Sequence, residues 1–283
     1  MKKFGALLLA CVLSFSLVGC GNNDGGSDAA ASGSGDVSGT VALNGSTSME
    51  KLVNGLKEGI VETYPNLQLE PQFTGSSAGI EAVLNGTADI GNSSRYLKDA
   101  EKEKGLTENI VAIDAIVIVT DTQNKVDNLT TQQLIDIYKG KIRNWKEVGG
   151  EDLPIVVIGR ESGSGTRSAF EEILNIEEQC QYANEVNETG PIIAKVQSIP
   201  GAIGYVSLDV IDETVKPLSI DGVQASEETI QNGQYSLQRP FVMATRGAIN
   251  QQNENIQHLF QFIQSEDGQK IIRAVGLVPV SRS

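Results

Sequence analysis

The sequence predicts an α/β fold of two lobes joined by two crossover strands, and three observations support this. Apolar segments of strand length alternate with helical segments along the chain, which is typical of α/β proteins with largely parallel sheets. The chain beyond residue 38 is longer than one hydrophobic core usually holds. Two apolar segments, 110–119 and 240–244, have the character of strands that pass from one lobe into the other.

In the N-terminal part, residues 41–43 form a short apolar run that predicts the first strand. The helical pattern at 49–64 stops before a proline, which cannot continue a helix. Residues 67–73 alternate between apolar and polar side chains, as a half-buried strand does. A short helix is expected at 77–85 and a strand at 89–92.

After the long apolar run at 110–119, Thr130 and Gln133 have the spacing of a capping box and predict a helix that ends near Gly140. Further strands are expected at 154–158, 202–206 and 240–244, and further helices at 166–174, 255–264 and 268–274. The last two helices would pack back on the first lobe. The expected division is therefore lobe I at 39–114 plus 241–283 and lobe II at 115–240, with a hinge at the two crossings.

The N-terminus has the features of a lipoprotein signal. Lys2 and Lys3 precede an apolar segment at 4–18 that is too short to span a membrane. It ends in the lipobox sequence 17–20, so we expect residues 1–19 to be removed and Cys20 to carry lipid. An ordinary secretory signal with a chance cysteine is the alternative. Residues 20–38 are mostly small and polar and predict a flexible tether. The protein would then be anchored on the outer face of the cytoplasmic membrane.

The composition is acidic, with a formal charge of −14. This charge argues against nucleic-acid binding but not against a buried anion site, where local donors outweigh screened surface charge. Once Cys11 leaves with the signal and Cys20 is lipidated, only Cys180 remains, which excludes an internal disulfide. No cysteine or histidine cluster indicates a metal, and we expect no cofactor.

Three turns place small hydroxyl residues between a strand and a helix, at 44–48, 74–79 and 160–166. Each would direct backbone N–H groups and hydroxyls from a helix N-terminus, where the helix dipole favours an anion. The alternative is that these residues only cap helices, and Thr47 with Glu50 has capping-box spacing. Arg160 follows a buried strand, so it would reach the ligand edge of the sheet; a surface ion pair is its alternative role.

Two catalytic motifs compete with an anion site. Residues 163–166 lack the lysine and spacing of a nucleotide-binding P-loop. Residues 75–79 match the G-x-S-x-G pattern of serine hydrolases, which would require His258, the only histidine. Because His258 lies in a helical pattern instead of a loop, a serine hydrolase is only a remote alternative, and we expect no enzymatic activity.

These turns, together with segments 140–145, 148–150 and 200–206, resemble the phosphate-binding subunit of the phosphate-specific ABC transporter over essentially the whole mature chain. The resemblance implies a type II periplasmic-binding-protein fold, with phosphate buried between the lobes and delivered to permease subunits of an importer. We expect a monomer that closes around its ligand.

The resemblance also implies a ligand set: Ser46, Thr47, Ser48, Ser76, Ser94, Arg160, Ser164, Gly165 and Thr166. Ser94 stands where better-known members carry an aspartate, and Ser162 stands where they often have an acid. These departures leave open a binding protein for sulfate or another tetrahedral oxyanion. A surface sensor or adhesin with the same fold is a further alternative.

Overall fold

The computed structural model describes residues 37–280. The strands, in chain order, are β1 (Ser38–Gly45), β2 (Asn66–Phe73), β3 (Ile90–Ser93), β4 (Leu106–Thr107), β5 (Ile110–Thr120), β6 (Asn128–Leu129), β7 (Val156–Arg160), β8 (Asn184–Val186), β9 (Ala202–Ser207), β10 (Lys216–Pro217), β11 (Ser219–Ile220), β12 (Gln238–Arg246) and β13 (Val278–Pro279).

The α-helices are α1 (Glu50–Thr63), α2 (Ser76–Leu84), α3 (Asp99–Glu103), α4 (Thr131–Tyr138), α5 (Gly165–Leu174), α6 (Gly190–Ser198), α7 (Glu227–Gln231), α8 (Glu254–Gln264) and α9 (Glu266–Ala274). Short 3₁₀ segments lie at Thr47–Met49, Trp145–Val148, Leu208–Val210 and Ile249–Gln251. The capping box expected at the start of α4 is present, because Thr130 accepts from the Gln133 N–H and Gln133 bonds back to Thr130.

The main sheet has the strand order β2-β1-β3-β12-β5-β9-β7-β8. Strands β2, β1 and β3 are parallel to one another, and so are β9, β7 and β8. The two long strands between these groups, β12 and β5, pair antiparallel with each other and with their outer neighbours. The expectation of largely parallel sheets therefore fits each group but not the crossover strands.

Strand β5 contributes to two separate hydrophobic cores. Its first residues, Val111 and Ala112, belong to a core with β1, β2, α1, α8 and α9. Its later residues, from Ala115 onward, belong to a second core that includes Trp145 and Phe170. This arrangement fits a two-lobed molecule. The residue limits 39–114, 241–283 and 115–240 for the lobes stay a prediction.

The expected signal peptide 1–19, the lipidated Cys20 and most of the tether 20–38 lie outside the described residues; Ser38 is already the first residue of β1. Among residues 37–280, no helix has both the length and the apolar character that a membrane span requires. No group of three or more His, Cys, Asp or Glu side chains in this part of the chain could hold a metal ion.

Candidate anion-binding site

The predicted turns meet because the parallel strands of both groups end toward one cleft. Strands β1 and β2 lead into the first two turns, and β7 leads into the third. The Ser77 N–H donates across the cleft to the Gly163 carbonyl at 3.2 Å. Ligands of open α/β sheets bind at such carboxyl ends. The local sequence thus places three helix N-termini around one small volume.

Four of the predicted residues form a first cluster in this cleft. The Ser46 hydroxyl donates to Ser94 Oγ at 2.9 Å, and the Ser94 N–H donates to Ser76 Oγ at 3.2 Å. Gly165, at the first position of α5, lies directly against them. A Cβ on Gly165 would come within 2.8 Å of Ser94 Oγ and still closer to Ser76 Oγ. Glycine is therefore required for this helix N-terminus to approach the serines.

Arg160 organises a second cluster in the cleft, with Thr47, Ser48, Thr166 and Thr189. Its Nη2 donates to Thr47 Oγ1 at 2.9 Å, and its Nη1 donates to Thr189 Oγ1 at 3.1 Å. Ser48 Oγ lies 2.8 Å from Thr166 Oγ1 and 3.2 Å from Thr189 Oγ1. These buried hydroxyls connect the first and third turns.

Two serines do act as helix caps, in agreement with the alternative reading for those positions. Ser164 accepts from the Arg167 N–H at the start of α5, and Ser46 accepts from the Ser48 N–H at 3.3 Å. The proposed capping box of Thr47 and Glu50 is wrong. The first turn continues as a 3₁₀ segment before α1 begins, and the Thr47 hydroxyl is bonded to Arg160 instead.

Arg160 is a buried cation with neutral hydrogen-bond partners. It is 2% exposed, and within residues 37–280 no carboxylate lies within ion-pair distance of its guanidinium. Burial lowers the pKa of Arg160 to about 10, so the group remains charged at neutral pH. The expected alternative, a surface ion pair, is wrong. A buried charge without a counter-charge is costly, so this position favours an anion.

Hydrogen bonds to tyrosine and arginine side chains hold the backbone of Arg160 in place. Its N–H donates to the Tyr205 hydroxyl at 3.2 Å, and its carbonyl accepts from Arg167 Nη1 at 3.0 Å. Arg167 is itself ion-paired with Glu171 at 2.8 Å. Glu171 also accepts from the Tyr182 hydroxyl. Because its N–H and its carbonyl are both hydrogen-bonded, the Arg160 backbone is restrained, and this orients its side chain toward the cleft.

Ser94 is linked to the crossover strands through its carbonyl, which accepts from Arg239 Nη1 at 3.4 Å. Arg239 on β12 is fully buried with Asp114 on β5, and its Nη2 lies 2.8 Å from Asp114 Oδ2. The cleft residue and the crossing point of the two lobes thus share one hydrogen-bonded network.

Three charged residues near the sequence motifs do not contribute a carboxylate or a free cation to the hydroxyl cluster. Asp89 accepts from the Ala42 N–H, before β3 begins. Arg95 is buried, but its charge is matched by Glu101 at 2.8 Å. Glu161, within the third turn, is half-buried, and its Oε1 lies beside Gly75.

Thr189 is the site residue that sequence reasoning missed. It precedes α6 and follows β8, a three-residue strand with two polar side chains that gives no apolar signal. The available signal was local: Thr189 precedes Gly190 and Pro191, and proline is favoured in the first turn of a helix. A turn followed by a helix, without the strand before it, could have been inferred from that segment.

Comparison with known proteins places these features in a family. Residues 30–267 match the model of the PBP superfamily domain. The phosphate-binding protein PstS of Bacillus subtilis is 30% identical, with an alignment that covers 99% of this chain and 96% of the relative. The chain belongs to the PstS family of phosphate-binding proteins.

Other relatives support this assignment to the PstS family. PstS of Borreliella burgdorferi is 29% identical over 85% of this chain and 90% of its own length. A Clostridium perfringens substrate-binding protein of an ABC transporter, solved with bound phosphate, is 39% identical with a TM-score of 0.82. An ABC-type phosphate transport receptor of Vibrio cholerae is 32% identical with a TM-score of 0.72. Each alignment with these two structures covers 86% of this chain and 100% of the solved chain.

Proposed function

We propose that this protein binds inorganic phosphate in the cleft between its lobes and delivers it to the permease subunits of an ABC importer. The observation that carries the proposal is Arg160, a buried cation whose partners are hydroxyls and carbonyls. The named relatives are phosphate-binding proteins, and their similarity extends over nearly the whole chain.

The chemistry of the cleft suits a tetrahedral oxyanion. Phosphate presents oxygens in several directions, and the cleft supplies hydroxyls from both sides together with the N-terminus of α5. A helix N-terminus favours negative charge, and bonds from ionised donors are stronger than neutral ones. We therefore propose the nine residues predicted from the sequence as the phosphate ligands.

We further propose that the protein has no enzymatic activity. A serine hydrolase would need Ser77 of the G-x-S-x-G segment to meet His258. The His258 ring packs against Tyr64, just after the C-terminal end of α1, whereas the cleft lies at the other end of this helix. A helix of 14 residues spans about 21 Å. That separation is far beyond hydrogen-bonding distance.

Sulfate or another tetrahedral oxyanion remains the second candidate, and Ser94 is the observation that favours it. A carboxylate at this position would repel sulfate, whereas a hydroxyl can donate to it. Among the described residues, the hydrogen-bond partners of the Ser94 hydroxyl are other hydroxyls, those of Ser46 and Ser76. Arg160 therefore favours an oxyanion as the ligand, and titration with both anions distinguishes phosphate from sulfate.

The location that we propose is the outer face of the cytoplasmic membrane, with lipid on Cys20 as the anchor. The lipobox and the small polar residues after it support this proposal. An extracytoplasmic, monomeric receptor is consistent with a role in presenting phosphate to an importer.

Calorimetric titration with phosphate, arsenate and sulfate tests the proposed function. Arg160→Ala should abolish measurable phosphate binding, because among the described residues it removes the only guanidinium that donates to hydroxyl groups of the cleft. Arg273→Ala, on the exposed surface of α9, is the matched control and should bind like wild type. The thermal midpoint of each ligand-free variant checks that the fold survives.

Two outcomes would overturn the proposal. If wild type binds none of the three anions, the cleft is not an oxyanion site. If Arg160→Ala binds phosphate within about threefold of wild type, Arg160 has only a structural role. Tighter binding of sulfate than of phosphate would keep the site and change the ligand.

A further inference from the structure

Thr189 lies at the centre of the second cluster, in contact with Thr47, Ser48 and Arg160. Its Oγ1 is 3.1 Å from Thr47 Oγ1, 3.2 Å from Ser48 Oγ and 3.1 Å from Arg160 Nη1. The side chain is buried. Together with Thr47 and Ser48 it also lines a surface cavity of about 550 Å³, whose charged lining residues are Lys51, Glu50 and Glu58.

The hydrogen bonds that Arg160 already makes explain why the Thr189 hydroxyl is important for anion binding. A guanidinium has five N–H donors. Nε donates to the Val186 carbonyl, and Nη2 donates to the Asn187 carbonyl and to Thr47. Nη1 donates to Thr189. Within residues 37–280, one N–H is left without an assigned acceptor, and it is on Nη1. A bidentate contact between Arg160 and an anion would require the anion to displace Thr47 or Thr189 from the guanidinium.

The hydroxyls of Thr47 and Thr189, which accept from Arg160, can instead donate to the ligand and so couple it to the positive charge of Arg160. Because Thr189 Oγ1 accepts from Arg160, its own proton must point elsewhere. A hydroxyl that accepts from a cation is polarised and becomes a stronger donor. Thr189 Oγ1 therefore combines a contact with the buried cation and a proton that can be donated to Thr47, to Ser48 or to an anion in the cleft.

We propose that Thr189 is a phosphate-binding residue: its hydroxyl accepts from Arg160 and donates to the bound anion. This inference rests on the proposed phosphate-binding function. It assigns a role to a fourth turn, the one between β8 and α6. It also makes Thr189 a direct link between the first turn and the β8–α6 turn, since its hydroxyl contacts Thr47 and Ser48.

A purely structural role as a helix cap does not account for Thr189. It occupies the N-cap position of α6, but its side chain makes no capping hydrogen bond and its backbone is helical. By contrast, Thr130 at the N-cap of α4 accepts from the Gln133 N–H at 3.1 Å. Thr130 is thus a capping threonine outside the cleft, and it serves as a matched control.

The experiment is calorimetric titration of inorganic phosphate into wild type, Thr189→Val, Thr189→Ala, Thr189→Ser and Thr130→Val. Removal of the hydroxyl by Thr189→Val or Thr189→Ala should weaken binding about ten- to hundredfold, the effect of one hydrogen bond to an ion. Thr189→Ser keeps the hydroxyl and should remain within about threefold. Thr130→Val should lower the ligand-free thermal midpoint and leave the phosphate affinity unchanged.

The outcomes separate this inference from the proposed function. Wild-type binding together with unchanged affinity in Thr189→Val and Thr189→Ala would overturn the role of Thr189 alone. Equal loss in Thr189→Ser and Thr189→Val would also overturn it, because the methyl group or packing would then be responsible. Absence of phosphate binding by wild type would overturn both. If Thr189→Val does not fold, Thr189→Ala and Thr189→Ser decide the question.

Discussion

Replacement of Asp209 by asparagine should stabilise the folded protein in a pH-dependent way. The substitution removes the free-energy cost of ionising a buried carboxyl near the crossover strands. Asp209 lies in the 3₁₀ segment after β9 and is 6% exposed. Neither of its carboxylate oxygens has a hydrogen-bond partner among the described residues. Lys51 donates to the Asp209 backbone carbonyl and not to the carboxylate. Burial, followed by the nearby charge of Asp114, raises the pKa of Asp209 to about 7.

Asp209 is the member of this acid pair that should hold the proton. Asp114 is ion-paired with Arg239, and it also accepts from the Ser207 hydroxyl and the Leu208 N–H. Three donors favour the ionised form of Asp114, whereas the Asp209 carboxylate has no donor among the described residues, because the Ser207 hydroxyl donates to Asp114. Burial also acts to raise the pKa of Asp114. Because its ionised form has partners, we infer that ionisation of Asp209 is the costly step.

The magnitude follows from the difference between the folded and unfolded pKa of Asp209. A change from the usual 3.8 to about 7 corresponds to a cost of about 4 kcal/mol for the buried, ionised carboxyl. The folded protein holds this proton more tightly than the unfolded chain does. The resulting stability is fully present below about pH 4 and is lost as the pH rises through 7. Asp209→Asn should therefore stabilise the protein at pH 8 by up to about 4 kcal/mol, and much less at pH 5.

Urea unfolding of wild type and Asp209→Asn at pH 5 and pH 8 measures this effect. Asp212→Asn is the control, since Asp212 is exposed on the same connection and accepts from Thr214, which lowers its pKa. The control should show no gain at pH 8. A stability difference between Asp209→Asn and wild type that is the same at both pH values would refute the reasoning, as would a loss at pH 8.

Two further predictions concern the anion and the anchor. Ser94→Asp should raise the ratio of phosphate to sulfate affinity and strengthen phosphate binding at acidic relative to alkaline pH, because a carboxylate accepts from protonated phosphate and repels sulfate. Titration of both anions into both variants from about pH 5 to 9 tests this; equal sulfate rejection by both would contradict it. Cys20→Ser should abolish fatty-acid labelling of the protein in cells, and labelling equal to wild type would refute lipidation.

Much of the fold could be predicted because it depends on local signals. The apolar run of β5 and the capping box at Thr130 each determine an element by themselves. β8 could not be predicted, since Asn184 and Glu185 give it polar character and its stability comes from pairing with β7. The missed strand removed the context in which Thr189 would have been recognised.

The site was predictable in its residue types but not in its pairings. Three similar turns indicated a common ligand because hydroxyl and glycine residues at helix N-termini repeat in the sequence. Sequence does not determine which charges neutralise each other. Arg160 ends β7 and Arg95 lies just after β3, yet Arg95 is paired with Glu101, whereas Arg160 has only neutral partners among the described residues. That difference arises from tertiary contacts and distinguishes the proposed ligand Arg160 from the ion-paired Arg95.

The acidic composition of the chain is compatible with an anion site because the two act over different distances. Charges on the surface are screened within about 8–10 Å at ordinary ionic strength. Arg160 lies inside the cleft, where its field is little screened. Because most of its N–H donors are already bonded within the protein, that field would reach the ligand largely through the hydroxyls of Thr47 and Thr189. Affinity would then depend on the orientation of those hydroxyls more than on the formal charge of −14.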